Sequence, residues 1–313
     1  MAEAPNTMLS RAQAVGLNKR LDRRAGEALI GTLLLLCALI SVITTVAVVF
    51  SIAEETFQFF REVSVVEFFT SRTWTPLFAN KNFGVAPLVL GTLMVTSIAC
   101  VIGLPLGLGA AIYLAEFADD RTRRTVTPIL EVLAGIPTVA LGYFALLFVT
   151  PVIRDLIPGV NLFNPLSAGL VMAFLILPTV TSISVDSLRA VPRSLREAGY
   201  GLGASKFELI TKVVVPAALS GIIASFILAI SRAIGETMIV TLASGGRPNF
   251  TFDPRQEMAT MTAFIVQAGT GDQAAGSIGA RSLYAVAAVL FTITLLLNIL
   301  SQQFVRRFSE KYE

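Results

Sequence analysis

The stretch ALIGTLLLLCALISVITTVAVVFSIA, from Ala28 to Ala53, decides what kind of fold this chain can adopt. It carries no charged side chain. A helix needs about 20 apolar residues to cross a hydrocarbon core of about 30 Å, and this run is longer than that. Arg11, Lys19, Arg20, Arg23 and Arg24 precede it, as cations precede the core of a signal peptide. The block is too long for such a peptide, however, and no small-residue cleavage site comes after it, so it reads as a retained first span.

Outward from that stretch the same composition recurs. The chain is 54% hydrophobic and only 14% charged, with a mean hydropathy of +0.74. Soluble domains carry about 25% charged residues, too many for this sequence to match. Apolar blocks at about 28–53, 84–114, 128–150, 166–185, 216–243 and 283–304 predict six spans in one membrane domain, 28–305. A polar segment, 1–27, precedes it, and a short tail, 306–313, ends the chain. Gly103, Pro105, Gly107, Gly135, Pro137 and Pro178 fall inside these blocks, where neighbouring helices can satisfy the backbone they disturb.

Sixteen of the 24 cations lie in the N-terminal segment, the 115–127 loop, the 186–215 loop and the tail. Seven lie in the alternate loops, and Arg232 is inside a block. The positive-inside bias therefore predicts that both termini are cytoplasmic, as an even number of spans requires. The aromatic segment 54–83, with Phe57, Phe59, Phe60, Phe68, Phe69 and Trp74, is expected along the outer membrane surface. The external stretch 244–282 contains a patterned run, Met258 to Gln267, that suits a short outer helix or a re-entrant element.

Several chemistries are excluded. The chain has no histidine, so histidine-based catalysis and relays are absent. Cys37 and Cys100 are isolated thiols in apolar blocks and form no disulfide framework or metal site. A net charge of +3 is too small to argue nucleic-acid binding. No lysine follows a glycine, so there is no phosphate-binding P-loop, and any ATPase must be another chain. No catalytic residue, metal or cofactor is expected.

Two motifs stand out. The first is Arg196-Glu-Ala-Gly-Tyr-Gly-Leu-Gly203, with Val213-Val-Val-Pro216 at a fixed distance beyond it. Proline at each end of the segment, Pro192 and Pro216, predicts a short helix with a sharp glycine turn in the water on the cytoplasmic side. Glu197 is expected to orient that turn, while Leu195, Ala198 and Leu202 fill a groove on a partner. The second motif is Arg232-Ala-Ile-Gly-Glu236-Thr237 in the fifth block. A central arginine costs on the order of 2.5–3.5 kcal/mol to insert, so it demands a reason. Four residues apart on one helix, Arg232 and Glu236 can pair; the guanidinium can also bind two oxygens of an oxyanion at once.

The first motif resembles the EAA loop of ABC importer permeases, with Gly199 for the second alanine. Trp74-Thr-Pro76, Phe83-Gly-Val-Ala-Pro87, Pro105-Leu-Gly107 through Tyr113-Leu-Ala-Glu116, Leu133-Ala-Gly-Ile-Pro137, the Arg232 motif and Phe252-Asp-Pro254 extend the likeness. Together they resemble the C-type permease subunits of the phosphate-specific transport system. That resemblance implies a six-span MetI-like bundle in the bacterial inner membrane. It also implies a similar A-type permease partner, a dimer of ATP-binding subunits and an external phosphate-binding protein. It places Arg232, Glu236 and Thr237 on the substrate path. Glu197, Ala198, Gly199, Gly203, Leu195, Leu202 and Pro216 belong to the 192–216 coupling loop. Two rivals stay open: an importer permease for molybdate, sulfate or an amino acid, and a secondary transporter working alone.

Overall fold

The computed structural model describes residues 6–308 apart from 79, 272 and 275. The side chains of 6–28 and 304–308 are also outside the described set. The cations expected on the N-terminal segment and tail therefore lie outside it. The chain divides into one unit up to Glu54 and another from Glu55 onward. In the first, helix α1 (Asn6–Glu62) begins, and Leu33, Leu36, Ile40 and Ile43 are all exposed, as suits a helix wrapped by lipid tails.

In the second unit, the described residues are helical apart from loops and one isolated bridge between Trp74 and Phe83. Among all the described residues, five helices are long and apolar enough to cross a membrane: Leu29–Glu62, Ala86–Phe117, Thr138–Leu156, Pro165–Ala190 and Ile278–Gln303. A sixth is a bent pair, Lys206–Ala217 with Leu219–Ile234, turned through 68°. The expected all-α, six-span architecture thus holds, although several blocks are cut in unexpected places.

The centre is the pairing of α3 (Ala86–Ile112) with α7 (Pro165–Ala190). Small residues let these helices approach closely: Gly103 faces Ile176, Gly107 faces Val180, and Gly169 faces Ile98. Thr181 Oγ1 donates to the Gly107 carbonyl at 3.2 Å across the contact. Val95, Ala99, Met172, Leu175, Ile176 and Val180 are buried there with Ala229 of α11 (Leu219–Ile234) and Ile239 of α12 (Met238–Ala243).

The expected span at 128–150 is displaced. Its first residues end an amphipathic helix, α4 (Asp120–Ala134), capped by the Asp119 carboxylate and with no buried residue. Gly135 terminates α4, and Pro137 starts α5 (Thr138–Phe144). A π-helical turn at Ala145–Val149 leads into α6 (Thr150–Leu156), so the apolar crossing is Thr138–Leu156. The physical reason is Pro137: it offers no N–H, and it biases Ile136 away from helical backbone.

The block 216–243 is likewise not one rod. Short helices α8 (Arg193–Gly201), α9 (Lys206–Leu209) and α10 (Val215–Ala217) form an arm, with a π-turn at Ile210–Val214. The chain bends at Ala218 into α11, breaks at Gly235, and resumes as α12. At 16 residues, α11 spans about 24 Å, short of a full hydrocarbon core.

The 54–83 segment differs from an interfacial anchor. The extension of α1 and helix α2 (Val65–Thr70) fold Phe59, Phe68, Trp74 and Phe83 into a buried edge-to-face aromatic cluster with Phe264. Of the expected anchors, Phe57 and Phe69 are exposed and Phe60 is half-buried. The polar stretch 244–282 also turns inward: Met258, Ala259 and Met261 are buried, and α13 (Met261–Thr270) packs against α3, α12 and α14 (Ile278–Phe308). Met261 N donates to Thr92 Oγ1 at 2.9 Å, and Gly91 admits the Ala259 carbonyl where any side chain would collide with it.

Candidate functional site

Arg232 sits in the last turn of α11, where a cation complements the free carbonyls of a helix end. It is exposed, and its Nη1 donates to Thr179 Oγ1 of α7 at 3.3 Å. The expected pairing with Glu236 does not occur. Gly235 ends the helix between them, so spacing by four no longer puts both on one face. The Glu236 carboxylate instead turns forward and accepts from Met238 N at 3.0 Å and Ile239 N at 3.3 Å, closing the first turn of α12. Each charge therefore serves its own helix end. A break of this kind at membrane depth survives only where its backbone is buried in protein or lines a cavity.

Thr237 Oγ1 donates back to the Gly235 carbonyl at 3.2 Å, and Thr262 Oγ1 of α13 donates to the Glu236 carbonyl at 2.8 Å. Thr92, Thr96, Thr260 and Thr262 line, with Glu236, a crevice too narrow to hold water. Thr179, which holds Arg232, also lines an open cleft of about 310 Å³ between α4 and α7. Arg123, Glu131, Asp186 and Arg189 lie along the same cleft. Thr179 and the α13 threonines carry no motif that sequence alone reveals. Pro178, which precedes Thr179, was the nearest signal.

The arm from Pro192 to Pro216 has the sharp turn expected of it. Gly203 adopts φ +81°, and the turn closes through Leu202 N to the Ala198 carbonyl at 3.1 Å and Ala204 N to the Gly199 carbonyl at 3.2 Å. Glu197 does not orient it: the side chain is exposed, and none of the described residues bonds to it. The residue that organises the next helix is Glu208, in a reciprocal cap with Ser205. Gly199 is buried against Leu209, whose side chain occupies the space a second alanine would need.

Leu195 is half-buried and packs against the cluster of Leu188, Val191, Leu209 and Val214, so only part of its side chain is left for a partner groove. Ala198 and Pro216 are exposed, and Leu202 is 89% exposed. Phe207 (72%) and Tyr200 (52%) stand out beside it. Sequence reasoning passed over these two aromatics, although an aromatic in a cationic cytoplasmic loop is itself a signal.

Residues 103–311 match the family model described as binding-protein-dependent transport system inner membrane component. The chain belongs to that family, the multi-pass inner-membrane permease subunits of ABC transporters, and it is a transport subunit and not an enzyme. It is 32% identical over 285 residues to the probable ABC transporter permease protein YqgH of Bacillus subtilis, covering 90% of this chain and 91% of that one. It is 33% identical over 259 residues to the phosphate transport system permease protein PstC of Mesorhizobium japonicum, covering 77% and 78%. PstC 1 of Mycobacterium tuberculosis is 33% identical over 250 residues, covering 72% and 73%. Among solved structures, a chain of a bacterial alginate ABC transporter superposes with a TM-score of 0.61 at 15% identity, over 89% of this chain and 96% of that one. A chain of the inward-facing MetNI methionine ABC transporter gives 0.55 at 18% identity, over 70% and 94%. Both show a shared fold.

Proposed function

We propose that this chain is the permease subunit of an ATP-driven importer of inorganic phosphate, with both termini in the cytoplasm. It works beside a similar second permease subunit, two ATP-binding subunits and an external phosphate-binding protein. The relatives named for phosphate transport support the substrate. The single observation that carries the chemistry is Arg232: a guanidinium at the end of a discontinuous membrane helix, with no carboxylate paired to it among the described residues. Such a group has free N–H donors in a fork that matches two oxygens of a phosphate. Glu236, committed to its own helix end, repels the anion without neutralising the arginine. Thr237 and Thr179 offer hydroxyls on either side of the break.

Transport proceeds by alternating access. The binding protein docks on the outer surface built from 54–83 and 244–282 and releases phosphate inward. ATP binding draws the two ATPase subunits together, and they grip the arm 192–216 through Leu202, Tyr200, Phe207 and Ala198. Exposed apolar knobs on a short helix suit a groove in a soluble partner. The anion then passes Arg232 and leaves by the cytoplasmic side.

The experiment is uptake of labelled inorganic phosphate by cells carrying this chain, with sulfate and molybdate as competitors. Arg232→Gln is expected to abolish uptake at normal membrane abundance. Unchanged uptake in that variant refutes the role of Arg232, and competition by sulfate at equal potency refutes phosphate as the substrate.

A further inference from the structure

Away from the Arg232 motif, one ion pair joins parts of the chain that lie 80 residues apart. Arg196, in α8, donates Nη1 to both carboxylate oxygens of Glu116 at 2.8 Å, and its Nη2 to the Leu188 carbonyl at 2.7 Å. The Glu116 side chain is 8% exposed and that of Arg196 is 22%. Glu116 stands on the π-helical turn, Tyr113–Phe117, that ends α3. One extra residue in a helical turn rotates every later side chain by about 100°, which is a device for re-aiming it. Leu188 belongs to the last turn of α7. A single guanidinium therefore clamps α8 to the ends of the two helices that form the centre of the bundle.

The neighbouring contacts point the same way. Lys206, at the start of α9, lies 4.5 Å from the Phe117 ring centroid, a second tie between the arm and the end of α3. Arg123 Nε donates to the Leu114 carbonyl at 3.0 Å, holding the π-turn from its other side. Further back along α7, Thr179 accepts from Arg232. The covalent path from the arm to α11 is softened by the π-turn at Ile210–Val214 and the bend at Ala218. The stiff connection is the one through the Arg196 guanidinium, whose two Nη atoms hold Glu116 and Leu188.

We propose that the Arg196–Glu116 pair, with the Arg196–Leu188 bond, is the strut that carries movement of the arm into α3 and α7. It acts as a positioning device that couples ATP hydrolysis to opening of the path. This inference rests on the reading of the chain as an importer permease. Neither residue touches the anion or the exposed knobs offered to the ATPase.

The test uses the whole transporter in proteoliposomes with labelled inorganic phosphate, measuring phosphate moved per ATP hydrolysed. Glu116→Gln is nearly isosteric; it is expected to retain the ATPase subunits on purification while the ratio falls well below that of the wild type. Arg196→Lys keeps the charge but cannot grip the carboxylate and the Leu188 carbonyl together, so its ratio falls too. The double variant Glu116→Gln/Arg196→Gln is expected to be no worse than either single one. A merely structural role lowers assembly and both rates together, leaving the ratio unchanged, and that result overturns the proposal. So does a double variant whose loss is the product of the single losses.

Should a single variant fail to assemble, Glu116→Met/Arg196→Met leaves no buried charge unpaired and replaces it. A wild-type ratio in that variant, or its failure to assemble as well, overturns the strut. A wild-type complex that moves phosphate while the variants keep its ratio refutes the strut alone. A wild-type complex that moves no phosphate refutes the importer reading, and the strut falls with it.

Discussion

Replacing Glu236 separates two accounts of the charged motif. If the residue existed to neutralise Arg232, removing either would cost the same interaction, and the double variant would cost little more than one. The structure places the carboxylate elsewhere, on the amides of Met238 and Ile239 at 3.0 and 3.3 Å. Loss of a helix cap costs about 1 kcal/mol, within a range of roughly 0.5–2. Because Glu236 is half-buried and accepts two bonds, the upper half of that range applies, so Glu236→Ala should cost about 1–2 kcal/mol. Arg232 is exposed and makes one bond of 3.3 Å, so Arg232→Ala should cost about 0.5 kcal/mol or less. Their coupling in a double-mutant cycle should then be under about 0.5 kcal/mol. Equilibrium unfolding of the purified chain and its three variants in mixed micelles measures all four corners. A coupling above about 1 kcal/mol, or no loss for Glu236→Ala, would show that the carboxylate does face the guanidinium.

Other outcomes depend on the packing and the loops. Gly91→Ala should cost about 1–3 kcal/mol, because the new methyl meets the Ala259 carbonyl and backbone cannot swing aside. Gly109→Ala on the same helix faces open space and should be neutral or slightly stabilising; equal thermal shifts for the two would refute the close approach. Leu202→Glu and Phe207→Ala should each weaken co-purification of the ATP-binding subunits, whereas Leu195→Ala should lower stability before it affects binding. On the outer side, Arg255 holds the Asp253 carboxyl below its ordinary value of 3.8, chiefly by donating hydrogen bonds to it. A depressed carboxyl stabilises the loop above its unfolded pKa and stops doing so as pH falls through the folded one. The protection of the amides in 253–256, measured against their intrinsic exchange rate at each pH, should thus hold from pH 7 to about 5 and fall below about 4; in Asp253→Asn that fall in protection should be absent.

Much of the fold can be read from the chain without coordinates. Lipid leaves a long apolar run few options besides a helix, so the runs at 28–53 and 166–185 identify themselves, the second lying inside the helix Pro165–Ala190. The EAA-like spacing likewise locates the arm, because a proline at each end and Gly203 at φ +81° are local requirements of a short helix and a tight turn. The breaks were harder to read. Pro137 and Gly235 were visible, but glycine and proline also occur inside intact membrane helices, such as Pro105 in α3 and Pro178 in α7. Only the neighbours decide which of them interrupts a helix.

The membrane class, the all-helical architecture and the positions of the two motifs were thus already legible in the sequence, because hydrophobicity and local backbone preference act over a few residues at a time. Which side chains meet was decided only by the tertiary structure. Glu236 caps a helix and does not pair, Leu195 faces inward while Phe207 faces out, and Arg196 reaches a glutamate on another helix. Those outcomes depend on where a helix breaks and what packs beside the break. Contacts between distant segments settle both, and no local pattern encodes them.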